Sequence, residues 1–181
     1  EGTDGAIRRA HQLLAEDPET YYMPNQFVNE ANILAHYEGT GPEIYEQTEG
    51  AVDGFVAGMG TSGTLMGVSR FFKDHKASAR VVGVEPTVGH KSQGLKNMKA
   101  AIVPDIYDPS MLADKITVED DEAFDMTRLL AKEQGLFLGM SSGASVAGAM
   151  KVAKQMKSGT IVAVLPDRGD RYLSTTLFRP I

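Results

Sequence analysis

The segment Phe55-Val56-Ala57-Gly58-Met59-Gly60-Thr61-Ser62-Gly63-Thr64-Leu65-Met66-Gly67-Val68-Ser69-Arg70 runs from a short apolar strand, through a turn of glycines and hydroxyl residues, into a helix. A chain builds a phosphate cradle in this way. Small side chains let the backbone come close, and the unpaired N–H groups of the first helical turn, with the positive end of the helix dipole, meet a dianion. The motif points to a phosphate-bearing ligand and leaves its chemistry open.

The rest of the chain supplies the frame such a turn needs. Apolar runs predict strands at Gly54–Ala57, Val81–Glu85, Ile116–Val118 and Thr160–Leu165. Helical spacing predicts helices over about Thr64–Lys73, Asp121–Glu133 and Ser145–Met156. The alternation implies an α/β fold, a mostly parallel twisted sheet with helices on both faces. Ahead of it, Thr3 or Asp4 can cap a helix in which Ile7, Ala10, Leu13 and Leu14 recur, ending near Asp17-Pro18. A short strand is expected around Tyr21-Tyr22-Met23. Thr40-Gly41-Pro42-Glu43 reads as a helix start, with Thr40 as cap, proline in the first turn and Glu43 as the reciprocal partner. The stretch from Pro86 to Ala113 has little periodicity and is too long for an idle connection, so it is expected to pack over or beside a functional site.

A chain of 181 residues, 42% hydrophobic and 23% charged, can bury a substantial core. Its net charge of −6, with no basic run longer than a pair such as Arg8-Arg9, argues against nucleic acid or an anionic membrane as partner. There is no cysteine, hence no disulfide and no thiolate metal site, and His11, His36, His75 and His90 lack ligand spacing, so no metal is expected. His36 and His75 read as solvated or capping side chains, and the nine methionines as core filler. No apolar run approaches a membrane span and Glu1-Gly2-Thr3-Asp4 is unlike a signal peptide, so the expected setting is the cytoplasm.

Taken alone, the glycine turn leaves several readings open. Gly58, Gly60 and Gly63 satisfy G-x-G-x-x-G, and Glu85 ends an apolar run about where a dinucleotide fold places its ribose-binding acid. A tight strand-to-helix turn with no ligand is another. A kinase-type P-loop is excluded, because no Gly-Lys-Ser/Thr follows the glycines.

Further segments fall in a fixed order around the turn. Asn25-Gln26-Phe27-Val28-Asn29-Glu30-Ala31-Asn32, followed by Gly39-Thr40-Gly41-Pro42-Glu43-Ile44, lies upstream; Gly139-Met140-Ser141-Ser142-Gly143-Ala144 and Leu165-Pro166-Asp167-Arg168-Gly169-Asp170-Arg171-Tyr172-Leu173-Ser174-Thr175 lie downstream. With Gly60-Thr61-Ser62-Gly63-Thr64, the series resembles the C-terminal two-thirds of the cysteine synthase (O-acetylserine sulfhydrylase) family, among the fold-type II pyridoxal-phosphate enzymes. It is most similar to the B-type branch, through Gly169-Asp170-Arg171-Tyr172-Leu173-Ser174-Thr175 and Gly63-Thr64-Leu65-Met66-Gly67.

The resemblance implies pyridoxal 5′-phosphate as cofactor. Gly60, Thr61, Ser62, Gly63 and Thr64 would hold its phosphate, with Ser62 where the family often has glycine, and the Ser141 hydroxyl would meet the pyridine nitrogen. The plainer alternative is that Ser141, or Ser142, caps the helix that follows. Gln26 and Gly94 would line the substrate side, and Asp167 stands where it could touch the ring side. The implied reaction forms L-cysteine from an O-activated serine and a sulfur donor. Cystathionine β-synthase-like condensation shares these residues, and a non-catalytic fragment or a dinucleotide-binding domain remain as other readings. The family's cofactor-bearing lysine and substrate-carboxylate loop lie in N-terminal motifs that do not occur here, and Lys91 and Lys115 have the wrong surroundings. The chain therefore reads as part of an enzyme, without a catalytic residue of its own. Residues 1–28 would be the tail of a small mobile domain, and residues 29–181 a large cofactor-binding domain lacking its N-terminal elements. A homodimer is implied by the resemblance; docking of a serine acetyltransferase is not decided by it.

Overall fold

Four strands, β1 (Gly54–Gly58), β2 (Arg80–Pro86), β3 (Asp114–Val118) and β4 (Ile161–Ala163), pair in parallel in the order β3-β2-β1-β4. The computed structural model describes residues 2–75 and 77–178. Val56 of β1 lies level with Val82 of β2 and Ala163 of β4, and Val84 with Ile116 of β3. Because side chains alternate along a strand, this register sorts the apolar residues into two layers. Val56, Val82, Val84 and Val118 face α5 (Asp120–Gln134) and α6 (Met140–Ala153), packing with Phe124, Ala144, Ala147 and Val152. Phe55, Ala57 and Val81 face the other way, onto α2 (Ala31–Ala35) and α4 (Gly63–Asp74) through Ile33, Leu65, Val68 and Phe72. Both faces of the sheet are thus covered, as the alternation of elements requires.

α1 (Gly2–Glu16) stands apart, with no buried residue. Its anchor is Asp4, whose carboxylate takes the Lys96 ammonium at 2.5 Å and the Ile102 N–H at 2.8 Å. Burial acts to raise the Asp4 pKa, but the Lys96 and Ile102 donors outweigh it and hold the carboxyl below its ordinary value. Lys96 is itself buried, with its ammonium 5.2 Å from the centre of the Phe27 ring. Among the described residues no helix is long and apolar enough to cross a membrane, and no group of three or more His, Asp or Glu is placed to hold a metal ion.

The structure departs from the sequence reading in several places. α1 includes Gly2, so Thr3 and Asp4 lie inside its first turn and neither caps it. Tyr21-Tyr22-Met23 forms no strand; Tyr22 is 86% exposed, and no neighbouring strand offers its backbone a ladder. Thr40 caps nothing. A π-helical turn over His36–Thr40 joins α2 directly to α3 (Gly41–Gln47), Thr40 has helical dihedrals, and its hydroxyl meets His36 Nδ1 instead. α6 starts at Met140, five residues before the predicted Ser145, so Ser141 and Ser142 lie in its first turn. β4 is shorter than predicted, at Ile161–Ala163. The segment between β2 and β3 is irregular as expected, apart from a short 3-10 turn at Pro109–Met111.

The two layers meet the sheet at close range where α6 lays Gly148 on Val84, leaving no room for a larger residue. Gly148→Val is expected to lower the unfolding free energy by about 2–3 kcal/mol through overpacking, read as a lower urea midpoint at unchanged slope.

Candidate functional site

A parallel sheet sends the turns that follow its strands to one edge. At that edge a cavity of about 330 Å³ is bordered by the turn after β1, the loop after β2, the first turn of α6 and Pro166 beyond β4. Gln26, Gly60, Thr61, Ser62, Thr64, Gly94 and Ser141 all line it. Gly63, Glu85 and Asp167 do not; the Gly63 Cα faces the Asn32 side chain, with no space for a Cβ between them. A larger depression of about 640 Å³ adjoins, sharing Thr3, Gly94, Leu95 and Lys96.

The turn after β1 is held tightly. Ser62 takes a left-handed conformation (φ 71°, ψ −2°), and its hydroxyl is buried with no hydrogen-bond partner among the described residues. Thr61 Oγ1 accepts from Asn32 Nδ2 at 3.0 Å and from the Gly63 N–H at 3.3 Å. With its lone pairs so engaged, the Thr61 hydroxyl has its proton left to donate. Asn32 also donates to the Gln26 carbonyl at 2.8 Å, tying the Gln26 segment to the turn. Thr64 Oγ1 lies 3.1 Å from His36 Nε2, and His36 Nδ1 lies 2.9 Å from Thr40 Oγ1. His36 is therefore neither solvated nor a cap; it is half-buried, and that burial pushes its pKa down, toward the neutral ring.

The loop carrying Gly94 is fixed by its backbone. The Lys96 N–H donates to the Met59 carbonyl at 2.7 Å, and a Cβ on Gly60 would stand 2.9 Å from the Gly94 carbonyl oxygen. Glu85 is spent inside the protein: it is buried, accepts the Met98 N–H at 3.0 Å and pairs with Lys115 at 3.0 Å. It is not among the residues bordering the cavity, so the ribose-binding role weighed from the sequence falls away.

Two helices open on the cavity by their N-termini, α4 and α6, and they differ in charge. The Asp167 carboxylate accepts the N–H groups of Ser141 (3.1 Å) and Ser142 (2.9 Å), the Ser142 hydroxyl (2.5 Å) and the Tyr172 hydroxyl (2.8 Å). Burial acts to raise the Asp167 pKa, yet these donors outweigh it and hold the carboxyl below the ordinary range. Tyr172 is pushed well above its usual value, by burial first and then by the bond to Asp167. Asp167 is therefore the cap of α6 and is not free for the ring contact allowed from the sequence. α4 has neither an acidic residue in its first turn nor a side-chain cap.

The sequence profile of pyridoxal-phosphate dependent enzymes matches residues 1–167. The chain belongs to the pyridoxal-phosphate dependent enzyme family. It is similar to cysteine synthase B of Pseudomonas aeruginosa, 40% identical over 180 residues, covering 99% of this chain and 60% of that protein. It is likewise similar to the cysteine synthase of Aquifex aeolicus, 42% identical over 183 residues, covering 98% and 56%. The chain thus spans 56–60% of the length of these curated relatives. Among solved structures it superposes on O-ureido-L-serine synthase, with a TM-score of 0.87 and 38% identity over 98% of this chain and 58% of that one. It also superposes on the cysteine synthase of Entamoeba histolytica, with a TM-score of 0.88 and 36% identity over 96% and 54%. Membership of the pyridoxal-phosphate family replaces the dinucleotide-binding reading.

Sequence reasoning found the hydroxyls of the cavity but not the residues hydrogen-bonded to them, Asn32 and His36. The signal was local in one case, Asn32 lying within the segment that carries Gln26, and absent in the other. For this pyridoxal-phosphate family member, Asp167→Ala is expected to cost about 2–3 kcal/mol, because buried donors of α6 lose a charged acceptor. In the wild type, a folded-state pKa below the unfolded value of 3.8 means the Asp167 contribution is present above that value and is lost as pH falls through the folded one. An acid titration of stability should therefore show Asp167→Ala converging on wild type at the acid end. Ser62→Gly relieves a left-handed serine and is expected to raise stability by about 1 kcal/mol in thermal or urea unfolding.

Proposed function

We propose that the protein works as a cysteine synthase, replacing the oxygen-linked leaving group of O-acetylserine or O-phosphoserine by sulfur to give L-cysteine. The carbon–oxygen bond breaks with release of acetate or phosphate, and a carbon–sulfur bond forms to the donor. Similarity to cysteine synthases along nearly the whole chain supports this reading. On it, residues 1–28 belong to a small mobile domain and residues 29–181 to the cofactor-binding domain. The cofactor-bearing lysine and the substrate-carboxylate loop come from residues outside this chain, and the enzyme acts on small molecules as a cytoplasmic homodimer.

The observation that carries the site assignment is the contrast between the two helix N-termini. A dianion would meet an N-terminus of α4 that carries no carboxylate, whereas Asp167 already occupies the α6 end. The residues present fit a phosphate: the buried Ser62 hydroxyl lacks a partner among the described residues, and the Thr61 hydroxyl has a proton to give. Gly60, Thr61, Ser62, Gly63 and Thr64 would hold the phosphate, the Gly63 N–H acting through the Thr61 hydroxyl it bonds. Bound pyridoxal phosphate supplies an electron-withdrawing ring that stabilises negative charge at the substrate α-carbon. Ser141 offers the ring nitrogen a neutral hydroxyl rather than a carboxylate, a choice suited to β-replacement. Gln26 and Gly94 border the cavity on the side this reading gives to the substrate.

With pyridoxal phosphate and sulfide, an enzyme that joins this chain to the lysine-bearing segment is expected to form cysteine from O-acetylserine or O-phosphoserine. Formation of cystathionine from serine and homocysteine in its place would overturn the reading. The double variant Thr61→Ala/Thr64→Ala is expected to weaken cofactor binding about 100-fold, the effect of removing two bonds to a charged group. Unchanged affinity would move the phosphate elsewhere.

A further inference from the structure

We propose that His36 is a positioning residue: its ring carries its proton on Nε2, donates it to Thr64 Oγ1, and thereby turns the Thr64 hydroxyl proton into the cavity toward the cofactor phosphate. The inference rests on the phosphate assignment above and deepens it.

The three side chains form a short chain, Thr40 Oγ1 to His36 Nδ1 at 2.9 Å and His36 Nε2 to Thr64 Oγ1 at 3.1 Å. A neutral imidazole donates from one nitrogen and accepts at the other, so two arrangements are available. With the proton on Nδ1, the ring donates to Thr40 and accepts the Thr64 O–H; Thr64 then shows only lone pairs to the cavity, which repel a dianion. With the proton on Nε2, Thr40 donates to Nδ1, the ring donates to Thr64, and the Thr64 proton is free for the phosphate. Only the second arrangement makes Thr64 a donor, as Asn32 and Gly63 N–H make Thr61 one by occupying its acceptor sites.

The backbone around His36 is built to hold this contact. His36 opens the π-helical turn His36–Thr40, a rare local geometry that recurs at functional sites. Its Cβ presses into a notch on α4 at Gly67, where an added Cβ would stand 2.6 Å from it. The ring is thus set between two elements at a height where one nitrogen reaches each threonine.

Substitutions separate the two nitrogens. The Gln amide nitrogen can stand in for Nε2, whereas Asn reaches only the Nδ1 position. With pyridoxal phosphate as the probe, His36→Asn is expected to weaken binding about tenfold, one charge-directed hydrogen bond, and His36→Gln to restore most of it. Pyridoxal, which lacks the phosphate, should bind all of them alike. His36→Asn should add nothing to Thr64→Val, because both remove the same donor. In the unmodified protein with pyridoxal phosphate bound, nitrogen-15 spectra of labelled histidine should show the His36 proton on Nε2; this readout needs no variant to fold. A proton on Nδ1, or loss of affinity in Thr64→Val but not in His36→Asn, would overturn the positioning role while leaving the phosphate site intact. If neither Thr64→Val nor Thr61→Ala/Thr64→Ala weakened binding, the phosphate assignment itself would fail.

Discussion

Two backbones cross at the mouth of the cavity, and the site hangs on that crossing. The Lys96 N–H reaches the Met59 carbonyl while the Met59 N–H reaches the Val84 carbonyl, so loop, turn and β2 are bonded in series. Gly58 and Gly60 make the approach possible, since a Cβ on either would run into Leu95 or the Gly94 carbonyl. Glycines read from the sequence as a ligand signature therefore serve first to admit another segment of the same chain. The close approach that suits a phosphate and the close approach that suits the loop are one geometric property, used on two sides.

Around this crossing the protein neutralises its buried charges one by one. Asp4 answers Lys96, Lys115 answers Glu85, and the first turn of α6 with Tyr172 answers Asp167. Buried polar groups are costly when unpaired, so pairing them is expected. The β1–α4 turn breaks the pattern, with an uncapped helix start, a buried Ser62 hydroxyl that has no partner among the described residues and a serine held in a conformation that favours glycine. Departures of this kind gather where a ligand completes the structure.

The frame was legible because its signals are local. Each strand of the sheet and each of α4, α5 and α6 carries its own apolar period, and the glycine turn between β1 and α4 announces itself. What was misread depends on residues far away in sequence. The early start of α6 is set by Asp167, 25 residues beyond Ser142, and Ser141, weighed from the sequence as a cap, lies inside the first turn instead. Thr40 has the composition of a cap, yet the π-helical turn hands its hydroxyl to His36. Tyr21-Tyr22-Met23 has strand-like residues but no partner strand. Of the site, the cavity-facing hydroxyls were legible as a motif, whereas the roles of His36 and Asp4 follow from contacts 28 and 92 residues distant, which no periodicity encodes.

The border of the cavity runs from Thr3 to Pro166 and draws on α1, the Gln26 segment, the end of β1 with the turn after it, the Gly94 loop, the first turn of α6 and the segment after β4. No partly folded form of the chain can assemble it, since the Asp4–Lys96 link and the β1–β4 pairing must both have closed. On the proposed site, a bound cofactor would report on completed folding, and its binding energy would stabilise the whole molecule rather than a single loop. Cofactor occupancy would then double as protection from proteolysis.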